Sequence, residues 1–374
     1  MKRFTNPDQI IFFALISVLA INLFSIVAKN KNIYLAKFNF SETDKLYRSS
    51  QFAPDPQDRK LIIEDPDLYS YSGYQYIRGT SPAELNFEHP PLLKYFFGLS
   101  IYIFGNANIV QSIFGFFLLC VIFLISRQIF SSKSLAVLPS LILSFDGIFQ
   151  NQLILPYLDL GHALFISLAI FFFLKATQNE KFYLLSSLFM GATISSKYLG
   201  FIIIPVLTGF VFVWRRDDMR HFLMSLLLIP IIFLVSYTGF FLLNSEDFIS
   251  LHLRIFKLYR SYLPDYPWGE IWRMLIVGDW RVWFGETQFV RVKEWSVLWP
   301  MSLVGCLIAL FFVRREKNEA LNLVILLAFF YLISASFHVI FPRHLILYLP
   351  FGYIMLVLAS QKIFKVIYEN ANRN

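Results

Sequence analysis

Apolar residues run through this chain in long blocks, separated by short polar turns and twice by longer polar segments. A helix needs about 20 mostly apolar residues to cross a bilayer. Ten blocks are read as spans on that measure, at 10–28, 107–127, 134–149, 157–175, 181–196, 198–214, 220–243, 296–313, 320–341 and 344–364. The third and fifth are short, and the fifth and sixth run nearly together across Lys197. A further apolar block, 91–105, opens at Pro90-Pro91 and stops at Gly105. It reads as a helix lying at or dipping into the interface, with an eleventh span as the alternative. The pattern therefore predicts an all-α fold, a polytopic transmembrane helical bundle forming one domain over 1–374. External loops at 29–106 and 244–295 are expected to carry interfacial helices.

Composition narrows the class further. Hydrophobic residues make up 57% and charged residues 16% of 374, with 43 phenylalanines. Soluble domains carry about 25% charged residues, so the deficit excludes a soluble enzyme, and the apolar content excludes a disordered chain. Cys120 and Cys306 lie in apolar stretches and supply neither a disulfide framework nor a metal cluster. The net charge of +8 bears on topology rather than on nucleic acid. Lys2, Arg3, Arg127, Lys133, Lys175, Lys181, Arg215, Arg216, Arg220, Arg314, Arg315, Lys317, Lys362, Lys365 and Arg373 fall in every second connection. Cytoplasmic loops collect Lys and Arg, so both termini are expected in the cytoplasm. The first block is as long as a full span and closes without a small-x-small site, which reads as a membrane helix rather than a cleaved signal.

That orientation puts a set of ionisable residues on the outer face. Asp44, Glu64, Asp65, Asp67, Glu88, His89 and Lys94 lie in the first external loop. Asp146 is near the outer end of the third expected span and Asp159 at the outer start of the fourth. Lys197 and the pair Arg343-His344 occupy outer turns. An ionisable side chain at membrane depth costs about 2.5–3.5 kcal/mol on insertion scales. Several converging on one rim from five segments point to a site.

The stretch NFEHPPLLKYFFG, Asn86 to Gly98, resembles the HPPL motif of the protein O-mannosyltransferase family, within the GT-C class of membrane glycosyltransferases. EDPDLYSYSGYQYIRG, from Glu64, resembles that family's acidic pair with its spaced Tyr and Gly. FDGIFQNQLILPYLD keeps two aspartates, Asp146 and Asp159, thirteen positions apart. GATISSKYLGF and FPRHLILYLP resemble the family's later Lys and basic turns. The chain departs from the pattern at Pro66, where a Glu is usual, and at Ile154, where an Arg is usual.

The resemblance implies an inverting transfer of a sugar, mannose among the candidates, from a polyprenyl-phosphate donor to an acceptor hydroxyl outside the membrane. It implies Asp65 as general base, with Asp67 and Asp44 as alternatives. A carboxylate partly desolvated at a membrane surface gains basicity, which suits that task. Glu88 and His89 are expected to face substrate, against a plainer role for Glu88 beside a helix dipole. Lys197 and Arg343 are the expected phosphate partners, against simple snorkelling. Lys94, Asp146, Asp159 and His344 complete the expected substrate-binding rim, with helix capping the other reading of Asp159. His162 is expected to pack or hydrogen-bond. In the second loop Arg254, Lys257 and Arg260 alternate with Leu253, Phe256 and Tyr259, an amphipathic basic helix suited to the headgroup layer.

The expected acceptor is a protein or a glycolipid, lipid A included, and membrane lipids are the other partners. No cofactor, metal or nucleic acid is expected, and no Gly-rich nucleotide loop appears. A transporter or flippase is the rival class, but it calls for ionisable residues at the midplane rather than one rim. The cell membrane is the expected location.

Overall fold

A computed structural model describes residues 7–53, 55–197, 206, 209, 210, 213, 218–244, 247–262, 268–282, 288–313 and 318–372. The expected sixth span, 198–214, lies almost wholly outside these, as do Lys2, Arg3, Arg215, Arg216, Arg314, Arg315, Lys317 and Arg373 of the topology argument.

Helix α1 (Pro7–Lys29) has only Ile26 buried, so its apolar surface is turned outward. It is tied to the bundle at two points. Asp8 accepts from Ser132 Oγ at 2.5 Å, and Asn22 Nδ2 donates to the Ser144 carbonyl at 2.8 Å. The segment expected as the first external loop folds into α2 (Lys31–Leu35), α3 (Phe40–Arg48), α4 (Asp65–Ile77) and α5 (Leu92–Phe104). Helices α4 and α5 meet at Gly73 and Gly98. A Cβ on Gly73 would strike the Lys94 carbonyl and one on Gly98 the Gly73 carbonyl, so only glycine permits this approach. Helix α5 is half sunk: Leu93 and Phe97 are fully buried, while Tyr102 and Phe104 are exposed.

The bundle continues with α6 (Asn108–Ile129), α7 (Lys133–Phe145), α8 (Gly147–Ile154), α9 (Leu158–Ala176) and α10 (Phe182–Ile194). After the described part of the next segment come α11 (Met219–Ser225), α12 (Leu228–Ser236), α13 (Thr238–Leu243) and α14 (Phe248–Tyr262). Next are α15 (Glu270–Ile276), α16 (Leu298–Val313), α17 (Glu319–Ala335), a 3-10 turn (Pro342–Leu347) and α18 (Leu349–Ala371). Among the described residues five stretches are long and apolar enough to cross a membrane: α1, α6, α9, Met219–Ser236 and α18. Five shorter apolar helices accompany them: α5, α7, α10, Leu298–Phe311 and α17.

Two expected spans are interrupted. The third breaks at Asp146, whose extended backbone ends α7 and whose side chain caps α8 by accepting from Ile148 N at 2.9 Å. The seventh is divided among α11, α12 and α13. The segment expected as the second external loop also holds a short antiparallel ribbon, Asp279–Arg281 against Phe289–Arg291, with Trp280 opposite Val290. One continuous apolar core joins α6, α9, α17 and α18, with Trp299, Tyr348 and Tyr353 fully buried in it.

Candidate active site

Asp65 is the first residue of α4, Asp159 the second of α9, Lys197 follows α10, and Arg343 and His344 sit in the 3-10 turn before α18. The fold brings all five together. Lys197 Nζ lies 2.5 Å from Asp159 Oδ1 and 3.0 Å from His344 Nε2. Arg343 Nε is 3.3 Å from Asp159 Oδ2, and its guanidinium also pairs with Asp65. Asp159 is 1% exposed, whereas the Asp65 side chain keeps 36% of its surface. Burial works against the charge on Arg343, but Asp65 and Asp159 outweigh it and hold its pKa above the ordinary value. The guanidinium lies 4.8 Å from the Tyr157 ring centroid and 4.5 Å from that of Phe341, so two aromatic faces flank the cation. Burial and then Lys197 push the pKa of His344 well down, and Phe341 N donates to its Nδ1 at 3.3 Å.

The HPP turn lies beside this cluster. Burial, and next to it the charge of Asp65, raises the pKa of the Glu88 carboxyl. Burial and then the nearby charge of Lys197 push the pKa of His89 well down too. Its ring meets Tyr69 edge-on at 5.9 Å, and its Nδ1 is 3.0 Å from the Tyr259 hydroxyl, which also donates to the Glu88 carbonyl at 3.2 Å. Tyr259 belongs to α14. The apolar side of that basic helix, Leu251 and Ile255, packs with Tyr237 and Phe240, so α14 closes over the turn.

Other expected residues are committed elsewhere. The Lys94 ammonium is fully buried and donates to Asn86 O at 2.6 Å, Asn86 Oδ1 at 2.9 Å and His89 O at 2.8 Å. It is thus engaged in holding the HPP turn. Asp146 caps α8, accepts from Trp299 Nε1 at 2.8 Å and from Tyr353 Oη at 2.5 Å, and lies outside the cluster. Sequence position alone placed it late in a span with no cap to supply; the break at Asp146 makes it the first cap of the next helix. Asp44 is spent on Arg48 at 2.8 Å and Tyr71 Oη at 2.6 Å. Asp67 stands two residues beyond Asp65, about 200° around the helix. It lines a separate cavity of about 470 Å³ with Asn39, Glu42 and Asn106. Its pKa is raised by burial and then by Glu64 and Glu42. His162 is buried one turn deeper than Asp159.

Sequence reasoning missed Tyr69, Tyr157, Tyr259, Gln152 and Glu294. Gln152 Nε2 donates to the Arg343 carbonyl at 2.9 Å, fixing the 3-10 turn against α8. A polar residue in an apolar block is a weak signal, and an aromatic at a membrane rim is weaker still, so these roles emerge only from contacts. Among the described residues no group of three or more His, Cys, Asp or Glu could hold a metal ion.

The fold is thus that of a helical membrane protein whose loops and helix ends clasp two cations, Lys197 and Arg343, against two carboxylates, Asp65 and Asp159. Residues 88–239 match the family model described as dolichyl-phosphate-mannose-protein mannosyltransferase. The solved structure of ArnT from Cupriavidus metallidurans bound to undecaprenyl phosphate superposes with a TM-score of 0.61 at 15% identity, over 89% of this chain and 59% of that one. The Archaeoglobus fulgidus oligosaccharyltransferase tethered with an acceptor peptide superposes with a TM-score of 0.54 at 13% identity, over 96% and 50%. The chain therefore spans roughly half to three-fifths of the length of these structures. No curated protein sequence matches it. The chain shares the GT-C fold of these structures, and the match to the mannosyltransferase family model is confined to residues 88–239.

Proposed function

We propose that this protein transfers a single sugar from a polyprenyl-phosphate donor to an acceptor hydroxyl at the outer membrane face. The observation that carries the reading is the Arg343 guanidinium, shared between fully buried Asp159 and half-exposed Asp65 beside Lys197. Lys197 and Arg343 against Asp159 leave one positive charge, the complement of a phosphodiester anion. A phosphate arriving on Arg343 competes with Asp65, the less buried carboxylate, and frees it next to the reacting carbon. The acceptor oxygen then bonds to the anomeric carbon, its proton passes to Asp65, and the electron pair of the breaking carbon–oxygen bond goes to the phosphate. Arg343 and Lys197 meet the second negative charge as it develops. Attack opposite the leaving phosphate inverts the centre.

The family match supports mannose as the sugar, and the undecaprenyl phosphate in the ArnT structure supports the lipid carrier. The acceptor is a protein or a glycolipid. Cation placement in the connections supports cytoplasmic termini and a site facing outward.

The test uses undecaprenyl-phosphate-mannose with the lipid phosphate followed as product. Asp65→Asn keeps the size of the side chain and removes its basicity, so release should fall by about 10²–10⁴-fold. Affinity for undecaprenyl phosphate should persist. Undiminished turnover in Asp65→Asn overturns the assignment of the base.

A further inference from the structure

We infer that the cavity between α8, the 3-10 turn and Glu294 seats the transferred ring, takes one neutral or amino monosaccharide, and excludes sugar acids through the Glu294 carboxylate. This rests on the transferase reading above and specifies its donor. The cavity has a volume of about 170 Å³ and is lined by Asn151, Gln152, Tyr157, Glu294, Phe341 and Arg343, among others. Pockets for drug-sized ligands run to about 300–1,000 Å³, so this one admits a ring and not a chain of rings. It opens on Arg343, the proposed phosphate anchor, which is where the first sugar of a lipid-phosphate donor must lie.

Its walls carry acceptors in excess. Glu294 Oε1 accepts from Asn151 Nδ2 at 2.9 Å, and Oε2 has no hydrogen-bond partner among the described residues. Gln152 is 1% exposed; its amide nitrogen is used on the Arg343 carbonyl, and its Oε1 has no partner. Hydroxyl or ammonium hydrogens match such a wall, and the aromatic faces of Tyr157 and Phe341 match the C–H face of a sugar ring. The close seat of Glu294 is built in: a Cβ on Gly147 would stand 3.0 Å from Glu294 Cβ, so glycine lets the two segments meet. A carboxylate on the ring would face the Glu294 carboxylate, where like charges repel strongly.

The experiment measures affinities of the detergent-solubilised full chain for three ligands. These are undecaprenyl phosphate, undecaprenyl-phosphate-mannose and undecaprenyl-phosphate-glucuronic acid. Glu294→Ala should weaken the mannosyl lipid about 10-fold, the size of a lost charge-assisted hydrogen bond. It should leave the bare lipid phosphate unchanged, which also shows that the variant is folded. Glu294→Gln should bind the glucuronosyl lipid about 10-fold tighter than the unaltered protein does, since the repulsion is gone. Equal effects on bare and mannosylated lipid, or no effect on either, overturn the subsite while leaving the transferase reading intact. Failure of the unaltered protein to bind bare undecaprenyl phosphate overturns both.

Discussion

Replacing Lys197 tests whether the cluster is a buried ionic device or a set of cations at the membrane rim. From the sequence Lys197 is an expected phosphate partner, with snorkelling as the alternative, and on either reading its loss leaves folding untouched. The structure instead places Lys197 at 5% exposure with its ammonium 2.5 Å from an Asp159 that is 1% exposed. Lys197→Met leaves that carboxylate buried without its closest cation, a loss worth about 3–5 kcal/mol in buried pairs. Arg343 Nε at 3.3 Å and His344 Nε2 at 3.7 Å still face Asp159, so the lower end, about 3 kcal/mol, is expected. Against a total stability of about 5–15 kcal/mol this is a large share. Adding Asp159→Asn removes the stranded charge, so the double variant should recover at least about 1 kcal/mol relative to Lys197→Met alone. Denaturant unfolding in micelles, followed by tryptophan fluorescence, reads both values. A loss below about 1 kcal/mol for Lys197→Met, the range of a surface pair, would refute the argument. Strict additivity of the two changes would refute it equally.

Glu88 supplies a pH test. Its folded pKa is raised by burial and by Asp65, so folding favours the protonated acid. The stability it contributes is present below the ordinary glutamate pKa of about 4.3 and is lost as pH rises through the raised value. Glu88→Gln should flatten that part of the stability–pH profile, and an unchanged slope contradicts the burial argument. Topology is tested by single cysteines in a background without Cys120 and Cys306. A cysteine at exposed Ile62 should label from outside intact cells and one at Gln178 only after permeabilisation; the reverse pattern removes the outward site.

Much of the fold was legible because a bilayer imposes a simple rule: every backbone polar group must be satisfied within its own helix. Apolar length therefore read out the helices in order, and the sequence order of acidic loop, HPP turn, paired aspartates, Lys and late Arg-His carried the class. Boundaries were less legible where one residue serves two elements. Asp146 closes α7 and caps α8 with the same extended backbone, and no apolar run announces such a break. Lys94 looked like a substrate ligand because a lysine in an apolar helix attracts suspicion. Its acceptors are carbonyls five and eight residues upstream, visible only once the turn is folded back on α5.

By itself the sequence determined that the chain lives in a membrane and roughly where its helices lie, and it named the ionisable residues expected on one rim. Those are properties of local composition and charge, and they need no knowledge of neighbours. Tertiary structure alone decided which members of that rim meet. Asp65 and Arg343 are 278 residues apart in the chain, and Asp159 and Lys197 are 38. Asp67, nearly adjacent to Asp65 in sequence, lines a separate cavity while Asp65 pairs with Arg343, because a helix turns about 100° per residue. A buried charge is tolerated only where opposite charges or well-placed hydrogen-bond partners surround it. The pairing of Asp159 with Lys197 and Arg343 was therefore set by packing, as was the seat of Glu294 against Gly147.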